Sequence, residues 1–382
     1  MRAKFIATLI AALTVAGAAW AQAPESDLSR SAQDKSEWGE LAARAVYTQT
    51  NAAEGNEILI LRADARGALR LAHRVSTRGL GTGAGLGSQG ALALTRDGRY
   101  LYAVNAGSDT ISAFARVRSG LVLVDRVSSG GDQPISLTLH DDVLYVLNAG
   151  SGNNIAGFHV RRDGRLRARR GSTQALSGEA VQPAQVQFNA SGDFIAVTEK
   201  ATNKIDLYTV EDGVARGPFV NNSSGITPFG FAFDRRDRLV VSEAFADAPG
   251  RSALSSYDFA DANAPLEVIS GSVPSSQTSA CWVAITKSGR YAYVANTGSG
   301  TISTYRIARN GELSVLSNGV SARTGNGSKP QDLALSGGNR FLFVLAPGAG
   351  TVRSFSVKAD GSLVAVATAP GIPASAQGLV TR

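Results

Sequence analysis

The sequence predicts an all-β chain folded as a seven-bladed β-propeller of four-stranded blades. Three observations carry this: a strand-and-turn pattern that returns roughly every 50 residues, glycine at 42 of 382 positions with only 18% charged side chains, and no long 3.6-residue apolar stripe beyond the N-terminus. The unit from Cys281 to Leu316 shows the pattern most plainly. Val283 to Thr286, Tyr291 to Asn296, Thr301 to Ile307 and Glu312 to Leu316 are rich in β-branched and aromatic residues, and Ser288-Gly289, Gly298 to Gly300 and Asn310-Gly311 separate them. A meander of this kind cannot bury both faces alone, so copies must pack on one another.

The first 21 residues stand apart. Arg2 and Lys4 precede an apolar run from Phe5 to Ala18, and Ala19-Trp20-Ala21 has the form of a cleavage site, so a secretory signal is expected and with it a periplasmic or secreted protein. The apolar run is too short for a membrane span, and none is expected after cleavage. Removing Arg2 and Lys4 lowers the net charge from +7 to +5. Residues 22 to 44 are polar and read as a flexible leader, with a short helix at most over Trp38 to Ala43.

The repeat starts in mid-unit. Val46–Asn51, Glu57–Asp64 and Leu69–Ser76 match second, third and fourth strands, with no first strand ahead of them. Complete units begin near Gly90, Pro134, Pro183, Pro228, Cys281 and Pro330, and four of these starts are prolines, tolerated at the first residue of a strand. Ala376 to Thr381 has the form of a first strand with nothing after it. The ring is therefore expected to close by this last strand completing the first blade, so that residues 45–382 form one propeller. Ala246 to Arg251 reads as an insertion between the second and third strands of the fifth blade.

The runs YAVNAGSDTIS, YVLNAGSG and YVANTGSGTIS resemble the repeat of the YVTN-type, lactonase-like seven-bladed propellers, a group that includes carboxymuconate cyclase-like proteins. The resemblance covers the chain from about Val46 onward. It implies a cofactor-free site at one mouth of the central channel, built from a His, an Arg and acidic residues and acting on a lactone or a related sugar or organic acid. The His position falls in Ala184-Gln185-Val186-Gln187, the Arg position in Cys281-Trp282-Val283, and one acid position on Thr297. Of that set only an acid after the second strand of the middle blade is matched, by Glu199.

The repeat register itself places Ala91, Ser136, Gln185, Gly230, Trp282, Asp332 and Gln377 at equivalent openings of the channel-lining strands. The ends of the second strands add Asn51, Asn105, Asn148, Glu199, Glu243, Asn296 and Pro347. Glu199, Glu243 and Asp332 are the candidate catalytic acids, with Glu199 and Glu243 as a general base and its partner or as metal ligands. Gln185, Trp282, Asn105, Asn148, Asn296 and Gln377 are the candidate substrate-binding residues, with Trp282 as a stacking platform. An amide-rich rim of this kind suits a polyol or sugar, or a calcium ion held through oxygen; a turn after a strand selects Asn in any case.

Other features narrow the classes. A single cysteine, three histidines and no metal-binding spacing argue against a zinc or iron site, and no cofactor is expected, with calcium left open. Scattered arginines without interleaved aromatics argue against nucleic acid. Gly79 to Gly87 precedes a strand instead of a helix, which points to a connecting loop or a lid over the mouth and away from a phosphate loop. Arg161 to Arg170, with six arginines around Asp163-Gly164, reads as an outer-rim hairpin facing solvent or an anionic surface. Two readings stand: an exported lactonase-family hydrolase or cycloisomerase, and a non-catalytic propeller that binds a protein, glycan or envelope partner.

Overall fold

The structure, a computed structural model, describes residues 45–259 and 265–382. The signal and leader expected over residues 1–44 lie outside the described residues. Among the described residues no helix is long and apolar enough to cross a membrane.

Seven antiparallel sheets follow one another along the chain, and their innermost strands neighbour each other in a closed circle. The strand order of blade 1 is Leu69–Ser76, Glu57–Ala63, Ala45–Gln49, Gln377–Thr381, so the last strand of the chain supplies its inner strand. Val46 opposes Thr381, and Tyr47 opposes Val380. Closure thus follows the sequence expectation, as does the insertion in blade 5, where Phe245–Asp247 forms a single 3-10 turn.

The outer strands depart from a uniform meander. In blade 6 the fourth strand is only Leu313–Val315; a turn at Ser317–Gly319 interrupts it, and Ala322–Arg323 resumes the pairing. Blade 3 is split in the same way into Leu166–Ala168 and Gln174–Ala175. Outer strands have one open edge and little to bury, so continuity there is weakly enforced.

The recurring tyrosine in the second strands joins blades. Tyr102 donates to the Gly164 carbonyl at 2.9 Å, Tyr145 to Gly213 at 3.1 Å and Tyr293 to Gly361 at 3.1 Å, each reaching the turn between the third and fourth strands of the next blade. Ser256 to Gly311 and Ser354 to Gly67 do the same from the third strands of blades 5 and 7. These rings are fully buried between the sheets, where an unpaired hydroxyl would be costly, so the motif combines apolar packing with a specified partner.

Candidate functional site

The inner strands start at one face of the ring, here called proximal, and run toward the distal face. Most share a bulge near their start, between Pro134 and Ser136, Pro183 and Gln185, Pro228 and Phe231, Ala280 and Trp282, and Gln331 and Leu333. A bulge inserts an unpaired residue and re-aims its neighbours. In blade 2 the inner strand is reduced to Leu92–Leu94, because the chain ahead of it does something else.

Ser88, Gln89 and Gly90 cross the proximal end of the channel. The Gln89 N–H donates to the Ala184 carbonyl of blade 4 at 3.1 Å. Its side-chain amide donates to the Val283 carbonyl and accepts from the Val283 N–H, both at 3.0 Å, as a further strand of blade 6 would. Its carbonyl accepts from the Ser136 hydroxyl of blade 3 at 2.6 Å. Gly230 of blade 5 faces the same amide, and any side chain there would collide with the Gln89 Oε1. Gly90 donates to Asp332 of blade 7 at 3.3 Å. One glutamine and its neighbour therefore tie blades 3, 4, 6 and 7 across the axis by hydrogen bonds.

The preceding glycine loop is built for close approach. The N–H groups of Gly81 and Gly83 are spent on the carbonyls of Ala52 and Asn51. A side chain at Gly81 would run into the Asn51 backbone. The loop reaches the mouth, where the half-buried Lys200 caps the Gly87 carbonyl at 2.6 Å and the Trp282 indole donates to the Ser88 carbonyl at 2.9 Å. Burial lowers the Lys200 ammonium to about 8, and its Nζ lies 4.8 Å from the centre of the Phe229 ring. Trp282 is itself covered, only 3% exposed, with Phe229 at 5.1 Å between ring centres.

The candidate acids are buried and internally bonded. Glu199 accepts from the Ser177 N–H at 3.0 Å, from the Ser177 hydroxyl at 2.6 Å and from the Thr202 hydroxyl at 2.5 Å. Glu243 accepts from the Gly225 N–H at 2.8 Å and from the hydroxyls of Ser255 and Ser272 at 2.5 and 2.6 Å. Burial raises its pKa, against the pull of those donors. Asp332 accepts from Gly90 and, at 2.8 Å, from Gly378 at the start of the closing strand; burial pushes it up to about 7.

The second-strand ends do not form a rim around the axis. Their side chains turn outward to the third strand and to the loop arriving from the preceding blade. Asn105 donates to Ser112 at 2.8 Å and accepts from Asn56 at 3.1 Å; Asn148 donates to the Ser129 carbonyl at 3.3 Å and to Asn154 at 2.9 Å; Asn296 donates to Thr301 and Ser303 at 3.2 and 2.8 Å. Where the arriving loop offers donors, at Ser177 and Gly225, the position holds Glu. Where it offers a carbonyl, at Ser129, it holds Asn. The break in the Asn pattern thus has a local hydrogen-bonding cause.

Gln185 and Gln377 lie on inner strands. Gln185 accepts from the Phe231 N–H at 2.7 Å and donates to the Phe231 carbonyl at 3.0 Å, bridging blades 4 and 5. Gln377 donates to Gln331 at 3.0 Å. Cys281 is buried, its thiol pushed up to about 12 by burial, which makes it a poor nucleophile. Among the described residues no three His, Cys, Asp or Glu side chains come together in a way that could hold a metal ion.

Asp206, one strand from Glu199, shares the Ser177 N–H with it at 3.0 Å. Burial and the adjacent Glu199 carboxylate raise the Asp206 carboxyl well above its usual value. A raised folded pKa means that the folded state keeps a proton the unfolded chain has released. This stabilisation is complete below about pH 4, the unfolded value, and is lost as pH rises through the folded one. Asp206→Asn, whose amide mimics the protonated acid, is expected to flatten that decline in a urea-melt series from pH 5 to 9 and to gain on the order of 1 kcal/mol or more at the alkaline end. An unchanged slope would remove the protonated Asp206 from the account.

Below Gln89 the channel is a cavity of about 390 Å³, bounded by Gln89, Gly90 and Asp332 at its blind end and by residues of all seven inner strands, including Leu94, Leu139, Gln187, Phe233, Ile285 and Val380. These six are partly exposed, so the cavity is accessible from the distal side. In the sequence, the one mark of this arrangement is that the blade 2 unit opens near Gly90 instead of on a proline.

No curated protein matches this sequence. Among solved structures, the fold is similar to a Lactobacillus plantarum protein (TM-score 0.72, 15% identity, 88% of this chain and 98% of that one). It is also similar to the Pseudomonas aeruginosa periplasmic gluconolactonase (TM-score 0.67, 18% identity, 88% and 98%) and to a candidate 6-phosphogluconolactonase of Bacteroides fragilis (TM-score 0.66, 16% identity, 88% and 97%). At these identities the likeness shows the fold. Residues 52–181 and 241–376, more than half of the chain, match the family "Lactonase, 7-bladed beta-propeller", and this chain belongs to that family.

Proposed function

We propose that this propeller binds a small uncharged lactone in its channel from the distal side, and that it does so without opening the ring through Glu199 or Glu243. The carrying observation is the channel itself: closed proximally by Gln89, accessible distally, and lined without a single Arg, Lys or His. Leucine, phenylalanine and isoleucine walls with the Gln187 amide among them suit a neutral ring that accepts hydrogen bonds. A phosphorylated lactone would find no matching cation there. The ring-opened acid would place its carboxylate near Asp332 with nothing to balance it, so lactone is favoured over acid.

The family supports a lactone as the ligand class, and the periplasmic gluconolactonase with the same fold supports both that class and the compartment. We propose export as well, on the form of the first 21 residues. Hydrolysis at the proximal mouth is disfavoured because the oxygens of all three candidate acids accept internal donors and Gln89 occupies the axis.

The test is a calorimetric titration of glucono-δ-lactone and of gluconate into protein purified from the periplasmic fraction, whose mass should correspond to a start at Gln22. Saturable lactone binding at least tenfold tighter than gluconate is expected. Ala284→Phe, which fills the channel wall, should abolish it while leaving the melting temperature within a few degrees. Equal affinity for both ligands, or full binding in Ala284→Phe, would remove the channel from this role.

A further inference from the structure

A second cavity, of about 250 Å³, opens between blades 5 and 6 on the distal side, and its lining includes Asp234, Arg235, Arg236, Arg238, Arg290 and Arg309. Its floor is a buried ion pair: Arg238 meets Asp234 at 2.5 Å, and the same carboxylate accepts from the Arg236 and Arg238 N–H groups at 2.8 and 3.1 Å. The charge of Asp234 is therefore spent on Arg238. Four guanidiniums remain, those of Arg235, Arg236, Arg290 and Arg309, and none has a carboxylate partner among the ion pairs of the described residues. Two other acids are near in sequence. Asp237 is turned toward blade 4, where it accepts from the Ala190 N–H at 2.7 Å, and Glu312, at the far end of the turn that carries Arg309, does not line the cleft.

Arg236, Arg238 and Arg290 are held by their neighbours, whereas Arg235 and Arg309 are exposed and line the cleft without a side-chain hydrogen bond among the described residues. Arg236 and Arg238 both donate to the Arg309 carbonyl, at 2.5 and 3.1 Å, which fastens the turn of blade 6 to the turn of blade 5. Arg290 lies over the Tyr291 ring at 5.6 Å. Uncompensated like charges gathered in one cleft destabilise it, and an anion that satisfies several of them at once removes that cost. Guanidinium forks match the oxygens of a phosphate group, and their planar donors favour it over a monovalent carboxylate.

We infer that the cleft between blades 5 and 6 is a binding site for a phosphate group, carried on a soluble phosphoester or on a lipid headgroup. It is independent of the channel, whose ligand is uncharged. The arginine hairpin of blade 3 also borders a cleft, where Arg161 and Arg162 meet Arg96 and Arg99 of blade 2, but three carboxylates, Asp97, Asp141 and Asp142, line that cleft with them and Asp97 pairs with Arg99.

The test titrates inorganic phosphate into the mature protein at low ionic strength and, separately, measures co-sedimentation with phosphatidylcholine vesicles containing phosphatidic acid. The variants are Arg235→Gln, Arg309→Gln and their combination, since neither side chain makes a structural hydrogen bond; Arg161→Gln/Arg162→Gln is the control for general basicity. Phosphate binding weakened at least tenfold in the cleft double variant and unchanged in the control is expected. Vesicle binding lost in the same double variant identifies a headgroup, and phosphate binding without vesicle binding identifies a soluble phosphoester. Equal weakening in the control, no effect of the cleft variants, or no saturable binding by wild type overturns the inference. A thermal melt of each variant guards against misfolding, and the single variants supply the reading if the double variant fails to fold.

Discussion

Truncation after Ser375 is expected to abolish cooperative folding. The deleted segment contributes the inner strand of blade 1, with Ala376, Gln377 and Leu379 all buried. Burying the leucine alone is worth about 1.5–3 kcal/mol. Removal also orphans the 3.3 Å bond from Thr48 to Gln377 and the 2.9 Å bond from Thr381 to Ala45, and takes from the buried Asp332 its donor at Gly378. A buried acceptor that loses its donor costs about 1–3 kcal/mol. Together with an exposed edge on Ala45–Gln49, these losses approach the roughly 5–15 kcal/mol by which a whole domain is stable. Circular dichroism melts should show no sigmoidal transition for the truncated chain. A transition within a few degrees of wild type would mean that the ring does not depend on its closure.

Asp234→Ala is expected to destabilise the protein by about 3–5 kcal/mol, because it leaves a buried guanidinium without its counter-charge. The side chains of Asp234 and Arg238 are 1% and 7% exposed, and the carboxylate also accepts two backbone donors of its own turn. Converting both residues, Asp234→Ala with Arg238→Leu, should recover part of the loss, since an apolar pair carries no desolvation cost. Urea denaturation of the two variants measures the difference. A single-variant cost below about 1 kcal/mol would place the pair with surface ion pairs, and would also weaken the case that Arg238 is an ordered floor to the arginine cleft.

The fold was legible because its signals are periodic. Strands rich in Val, Ile, Tyr and Thr return with their turns, and the unmatched halves at Val46 and Ala376 can only be satisfied by each other. The arginine hairpin was legible for the same reason, with Asp163-Gly164 marking the turn between Asn154–Val160 and Leu166–Ala168.

The site was less legible, because what decides it lies between repeats. Gln89 follows a linker in which glycine alternates with Leu, Thr and Ala, a pattern that matches no part of the blade repeat, and nothing in it says that a glutamine amide will span the axis to Val283. Glu199 and Glu243 drew attention as departures from Asn, but the donors that select them, Ser177 and Gly225, come from the preceding blade's loop and match no motif. Trp282, exposed in expectation, is covered because the same linker lies over it. The tyrosines read correctly as strand residues; their role in joining blades needed the neighbouring turn.

The central claim is that the proximal mouth is sealed and the chain binds a lactone without its candidate acids opening it. The most direct measurement is acid release from glucono-δ-lactone and a panel of uncharged lactones by the purified protein, beside Glu199→Gln and Glu243→Gln. The account predicts release at the uncatalysed rate in all three proteins, with lactone binding retained. Catalysed release that disappears in either variant would contradict it and place a working active site at the proximal mouth.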